Sequence, residues 1–320
     1  MTRQDSLTLR SQVLRLPCFF PSISSVKTNF RPIEYLSTLV ATGEPQFLIS
    51  AYDIRHEEDQ LGLKLLLEKA RTSGQVVLLD SGNYEKFWKN DEEWSPTKLA
   101  GVLSWPCFPL AFCFDDQTPP KDMEELVAGI ENAVLREQRH CVEGSMIPIV
   151  HAQTEQLPEA VIAVARRLYP LMVAVPEREL GNGILTRAGT VSAIRKALNT
   201  LETYVPLHIL GTGNPRSILI LAASGADSFD GLEWCQTTVD TSTGNLHHFQ
   251  HRELFQDACA FCNDANLSYS IATLGHNLLF MRRLMTAIQQ ATREEAMENL
   301  LARYLPSKVI SRILRTVDRR

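Results

Sequence analysis

Short apolar runs, many of them β-branched, alternate along the chain with stretches whose apolar positions recur every three or four residues. The runs fall at 16–20, 46–51, 76–79, 110–114, 146–150, 171–175, 207–210 and 228–232. Between them the helical period is clear at 32–42, 60–73, 121–140, 157–168, 186–200 and 215–224, and weaker at 94–104. Runs of this length bounded by turn residues read as buried strands, and the intervening stretches as amphipathic helices. Eight such units in succession predict an α/β fold, a parallel (β/α)8 TIM barrel over residues 1–250. An open doubly wound sheet has the same pattern, because periodicity does not show closure. Beyond 250 the alternation stops. Helical patterns at 251–263, 276–291, 293–303 and 306–316 predict a C-terminal helical appendage over 251–320.

Composition narrows the class. The chain has 320 residues, 44% of them hydrophobic and 22% charged, as in a soluble globular protein. It has no apolar run of about 18 residues, so no membrane span is expected. The run at 16–20 is short and flanked by Pro17 and Pro21, unlike a secretory leader. Seven cysteines, five of them scattered, suit a reducing, cytoplasmic setting. A net charge of −5 does not announce a nucleic-acid binder. The charge is uneven, however: from 282 onward there are nine Lys/Arg against four Asp/Glu, leaving 23 against 33 in the rest. Such a basic tail is either a solvated helical face or a surface for phosphates.

In a barrel of this kind chemistry sits where strands end. Here those ends carry Ser22 to Ser25, Asp53, Asp80-Ser81-Gly82, Asp115-Asp116, His151, Glu177-Arg178-Glu179, Gly211-Thr212-Gly213 and Asp230. A single Asp after a strand is commonly the N-cap of the next helix. Asp53, Asp80, Asp115, Glu177 and Asp230 together are harder to explain by capping. Acids around one mouth raise each other's pKa values, which suits proton transfer, nucleophilic attack or hydrogen bonding to a nitrogenous ring.

These residues resemble the tRNA-guanine transglycosylase family, enzymes that exchange guanine in nucleic acid for a 7-deazaguanine. Asp80-Ser81-Gly82-Asn83-Tyr84 is similar to the family's DSGGYQ motif, and Phe114-Asp115-Asp116-Gln117-Thr118-Pro119 to its FDECTP motif. Leu210-Gly211-Thr212-Gly213-Asn214-Pro215, followed by Gly225-Ala226-Asp227-Ser228-Phe229-Asp230, resembles its MGVGTP…GVDMFD stretch. Cys259-x-x-Cys262 and His276-Asn277 resemble its zinc segment. The motifs run in family order from about residue 16 to residue 290. The resemblance implies that Asp230 is a nucleophile at C1′, forming a covalent sugar ester as in retaining glycosidases. It implies that Asp80 assists proton transfer at the base, with Ser81 beside it. Asp115 would accept from the ring edge of guanine through the adjacent N1–H and amine. Gly211 and Gly213 would let backbone approach the sugar or base, or would serve a plain strand-to-helix turn.

The departures bear on the substrate. His151 stands where the family has Gln, and is either a base contact or a core histidine. Pro176-Glu177-Arg178-Glu179 replaces a Gly-Gly-Leu segment, so Glu177 would reshape the base pocket. The basic stretch that follows the nucleophile in tRNA enzymes is absent, replaced by Gly231-Leu-Glu-Trp-Cys-Gln-Thr-Thr-Val-Asp240. This looks more like the branch that inserts 7-deazaguanines into DNA, so DNA is expected over tRNA. Trp234 would stack on a flipped base or pack in the core. For the metal, Cys259, Cys262 and His276 suit tetrahedral zinc of structural role. Asp257 falls where the family has its first cysteine, and His251 and Cys235 are other candidates for the fourth ligand. Relatives dimerise, whereas the loop between Cys262 and His276 is shorter than in tRNA enzymes and could remove that interface; a homodimer and partner modification proteins are therefore open alternatives. Three other readings stand: a tRNA-acting enzyme, a small-molecule lyase or hydrolase with phosphate at the strand-seven glycine turn, and a catalytically inert nucleic-acid-binding subunit.

Overall fold

A computed structural model describes residues 3–10, 12–255 and 257–318. Its centre is one sheet of eight parallel strands: β1 (Cys18–Ile23), β2 (Gln46–Ser50), β3 (Val76–Asp80), β4 (Leu110–Phe112), β5 (Ser145–Ile147), β6 (Val173–Pro176), β7 (Leu207–Leu210) and β8 (Ser228–Gly231). Neighbours run in the order β5-β4-β3-β2-β1-β8-β7-β6. The two ends meet through a parallel bridge between Ile149 and Ala174. Val150 N–H donates to Ala174 O at 2.9 Å and Ala174 N–H to Pro148 O at 3.0 Å. The sheet is therefore closed as a TIM-like barrel, and the doubly wound alternative is excluded.

Strands β4 and β5 are shorter than expected for local reasons. Pro148 has no N–H to give the ladder, so β5 stops at Ile147 and resumes only as the bridge. At the end of β4, Phe114 N–H turns away to the buried Glu137 Oε2 at 2.8 Å. β1 begins at Cys18 rather than residue 16. Leu16, which looked like the start of that strand, joins Leu7, Leu9 and Leu14 in the core cluster of the barrel interior. They belong to an antiparallel hairpin of Ser6–Thr8 with Val13–Arg15 that plugs the barrel's floor.

Strand side chains alternate between two faces. Phe47, Ile49, Val77, Leu79, Val173, Val175, Ile209 and Phe229 pack outward with the helices. Cys18, Phe20, Leu48, Val76, Leu78, Phe112, Ile147, Ile149 and Ala174 fill the interior. Each fully buried Leu, Ile or Phe contributes about 1.5–3 kcal/mol by leaving water. A step of two from the last apolar interior residue lands on the mouth: Ser22 after Phe20, Ser50 after Leu48, Asp80 after Leu78, His151 after Ile149.

The C-terminal helices Tyr269–Arg293, Met297–Tyr304 and Ser307–Asp318 lie against the barrel. Phe280, Leu284, Ile288, Leu301 and Ile313 share one core cluster with Ile209, Ile218 and Leu219. No helix among the described residues is long and apolar enough to cross a membrane.

Candidate active site

Asp230 lies on β8 at the mouth and is 8% exposed. Three donors fix it. Ser22 Oγ donates to Oδ2 at 2.9 Å, Gly211 N–H to Oδ1 at 2.9 Å, and His208 Nε2 to Oδ1 at 3.1 Å. His208 is wholly buried on β7, two residues before the strand's end. With Nε2 donating to a carboxylate, its Nδ1 is the acceptor for Ser228 Oγ at 2.7 Å. The Cys18 thiol in turn donates to Ser228 Oγ at 3.4 Å. This column of polar groups inside an otherwise apolar barrel holds one carboxylate in one orientation.

Gly211 can make its bond because it takes φ +76°, a left-handed conformation that suits glycine. Gly213 is required for space: a Cβ there would lie 1.9 Å from Glu233 Oε2 and 3.2 Å from Gly231 Cα. The turn ends on Asn214, whose Oδ1 caps the next helix by accepting from Arg216 N–H at 3.0 Å.

Asp80 ends β3 and accepts from Gly82 N–H at 2.9 Å. Burial, then the nearby charges of Glu85, Asp115 and Asp230, push its pKa well above the ordinary carboxylate range. Asp115 behaves oppositely. Burial works to raise its pKa, but hydrogen bonds from His151 and Asn83 outweigh it and hold the group below its ordinary value. Its Oδ1 accepts from Asn83 Nδ2 at 2.6 Å and from Ser81 Oγ at 3.3 Å. Its Oδ2 accepts from His151 Nε2 at 2.7 Å and from Gln117 Nε2.

His151, 3% exposed, is clamped from both sides, since its Nδ1 donates to Glu179 Oε1 at 2.5 Å. Burial alone would lower its pKa; the two carboxylates overcome that and raise it to about 9. The ring is therefore an imidazolium at neutral pH. Glu177 pairs with Arg187 Nη1 at 2.7 Å, and burial raises its pKa.

A second tier of acids sits behind these. Glu85 accepts from Ser50 Oγ at 2.6 Å and from Ser24 Oγ, and burial raises its pKa. Asp53 accepts from Ser25 N–H at 2.7 Å; burial and then the charge of Glu85 bring it to about 7. Glu233, behind the glycine turn, is likewise raised to about 7 by burial and the charges of Glu177 and Asp230.

The strand-end residues thus converge, with one correction. Trp234 is 2% exposed, donates to Ser22 O at 2.9 Å and meets Tyr35 edge-on at 5.5 Å. It packs in the core and offers no face to a base; it braces the end of β1 that carries Ser22. Sequence reading passes over His208, hidden in the apolar run of β7, and over Glu85 and Glu233. The signal for His208 was its parity: it shares the inward face with the strand-end residues.

Asp257, Cys259, Cys262 and His276 form a cluster that could hold a metal ion, their ligand atoms all within 4.8 Å of one another. His276 Nδ1 lies 3.8 Å from Cys259 Sγ, 3.4 Å from Cys262 Sγ and 3.7 Å from Asp257 Oδ1. Bonds of about 2.0–2.3 Å to a tetrahedral zinc separate ligands by roughly 3.3–3.8 Å, so the donor set fits. His276 Nε2 donates to Val239 O at 2.9 Å, which turns Nδ1 toward the cluster. His251 and Cys235, the other candidates, are not in the cluster.

No model of a known protein family matches the chain. A tRNA-guanine(15) transglycosylase of Methanopyrus kandleri is similar to it, 23% identical over 321 residues, covering 90% of this chain and 66% of that protein. The chain therefore spans just under two thirds of its relative's length. That similarity agrees with the four motifs in family order: the chain resembles the tRNA-guanine transglycosylases.

Proposed function

We propose that the protein is a base-exchange transglycosylase. It replaces guanine in nucleic acid by a 7-deazaguanine through a covalent aspartyl–sugar ester. The observation that carries this reading is the fixed carboxylate of Asp230 with the acid Asp80 beside it, one poised to attack and the other to hold a proton. Oδ1 of Asp230 already receives two hydrogen bonds and Oδ2 only one. Oδ2 is therefore the oxygen with electron density to spare. It bonds to C1′ as the C1′–N9 bond breaks, and the bonding pair leaves with the base. Asp80, kept protonated by burial and its acidic neighbours, gives the departing base its proton. The incoming base then loses a proton to Asp80, bonds to C1′ and frees Asp230.

Asp115, ionised beside the His151 imidazolium, is the acceptor for the base's N1–H and amine. Its four acceptor positions are all taken without a base, so an arriving ring displaces its weaker partners, Ser81 at 3.3 Å and the exposed Gln117. Gly211 and Gly213 shape the wall beside the sugar, and Glu177 with Arg187 closes the pocket on the β6 side. The Asp257, Cys259, Cys262 and His276 cluster would hold a structural zinc that pins the C-terminal segment.

The relative's name specifies tRNA; for this chain we favour DNA. From 217 to 251 there is no Lys or Arg, so nothing cationic follows the nucleophile to read a folded anticodon loop.

The test is incorporation of a labelled 7-deazaguanine into DNA and into tRNA, with wild type and Asp230→Ala. Wild type should give exchange and a denaturant-resistant adduct, and the variant neither. Exchange by the variant removes Asp230 from the chemistry. An adduct with tRNA and never with DNA overturns the DNA preference alone.

A further inference from the structure

The helix Asn83–Lys89 is inverted with respect to water. Its polar residues Asn83 and Glu85 are buried, bonded to Asp115 and to Ser24 and Ser50. Its aromatic residues face out: Tyr84 is 41% exposed, Trp88 46% and Phe87 71%. They stand at i, i+3 and i+4, so they form one stripe. Phe87 and Trp88 meet edge-on at 5.6 Å, and Tyr84 and Trp88 at 6.3 Å. Helices usually bury such a stripe and wet the polar one. The reversal puts three rings in water beside the mouth.

The stripe is also where cations gather. Lys27 Nζ sits 3.4 Å over the Trp88 ring, from the loop that follows β1. Lys89 reaches over Tyr52 at 5.1 Å and Lys86 over Phe114 at 5.4 Å. This contrasts with the acids of the mouth and with a net charge of −5. A cavity of about 820 Å³ lined by Asp115 and His151 also reaches Lys86 and Phe87, so Phe87 borders the same space as two residues of the mouth.

Rings with π-faces in water beside lysines are complementary to unpaired bases on a phosphate chain. A nucleotide attacked at C1′ must leave its stack, which leaves its neighbours unstacked and seeking new partners. We propose that Phe87 and Trp88, with Lys27, Lys86 and Lys89, form a stacking ledge for the single-stranded bases flanking the extruded nucleotide. This rests on nucleic acid being the substrate class. Lys27 covers one face of Trp88 and helps set the ring's orientation, and Trp88 remains 46% exposed.

The test uses the full chain and a fluorescein-labelled DNA strand without guanine, read by anisotropy, so that no exchange is needed. Wild type should bind it. Phe87→Ala and Trp88→Ala should each weaken binding about tenfold, and the double variant about a hundredfold. Trp88→Phe should keep most of the affinity, and Lys27→Ala with Lys89→Ala should flatten its salt dependence. Failure of wild type to bind, or equal binding by the double variant, overturns the ledge. Adduct formation at Asp230 with strand binding unchanged in the double variant sinks the ledge and leaves the exchange reading standing. Strand binding lost in the double variant, with no adduct in wild type, does the reverse.

Discussion

The clamp on His151 makes a quantitative prediction. The ring is buried, with Asp115 at 2.7 Å on Nε2 and Glu179 at 2.5 Å on Nδ1. Its pKa rises from the ordinary 6.5 to about 9. The native state therefore holds this proton more tightly than the unfolded chain does, and the group stabilises the fold as long as it is charged. That stabilisation is complete below the unfolded value of 6.5 and disappears as pH climbs through about 9. At about 1.4 kcal/mol per pH unit the difference amounts to about 3 kcal/mol. Asp115, whose pKa is lowered, is ionised throughout this window and does not blur it. The perturbation is His151→Gln, which keeps hydrogen-bonding capacity and removes the charge. Urea unfolding of both proteins, from about pH 6 to about pH 10, gives the free-energy gap between them. The gap should be largest near pH 6 and shrink by about 3 kcal/mol by pH 10. A gap that is constant with pH would mean that the fold binds the His151 proton no more tightly than the unfolded chain does, and the account of a clamped imidazolium beside an ionised Asp115 would fall with it.

Other outcomes follow from the same geometry. In the proposed exchange Asp80 acts while protonated, so activity should decline on the alkaline side as pH passes its raised pKa, and Asp80→Asn should abolish that limb along with most activity. Elemental analysis should find about one zinc per chain, and chelation should lower the melting temperature by about 5 °C or more while Cys262→Ser makes the protein insensitive to chelator. Asp227→Asn should destabilise by about 3–5 kcal/mol in thermal or urea unfolding. Asp227 is fully buried and accepts from Arg195 Nη2, Arg3 Nε at 2.8 Å, Tyr204 Oη at 2.7 Å and Leu207 N–H at 2.9 Å. The contrasting Asp230→Asn should leave the fold standing and remove exchange, since two carboxylates three residues apart serve different ends.

The barrel was readable because its strands are buried on both faces, so each appears as an unbroken apolar run between turns. The helix Leu157–Leu168 and strand Leu207–Leu210 occur where periodicity places them. The floor hairpin was not readable: its strands are three residues long, and Leu16 looks like the start of β1. The long helix begins at Tyr269, capped by Ser268, where periodicity suggested 276, because Gly275 and His276 break the apolar rhythm while remaining buried. Gly275 is kept small by Phe261, whose ring a Cβ would meet at 2.3 Å. Within the site, Asp80, Asp115 and Asp230 stood out because acids at strand ends are conspicuous. His208 did not, because a polar residue within an apolar run looks like noise until strand parity turns it inward. Trp234 was ambiguous for a general reason: an aromatic after a strand-end carboxylate has the same letter whether it meets substrate or core.

The helix Asn83–Lys89 divides its labour between its two sides. Asn83 and Glu85 are bonded into the acid network. Phe87 and Trp88 touch each other and a lysine in solvent. Inheritable change can therefore reach the outer side without disturbing the inner one. A lineage could recolour the outer rings, one substitution at a time, and retune what the mouth grips while the reacting groups stay where they were. The same seven-residue segment would then be constrained on its inner side and free to change on its outer one.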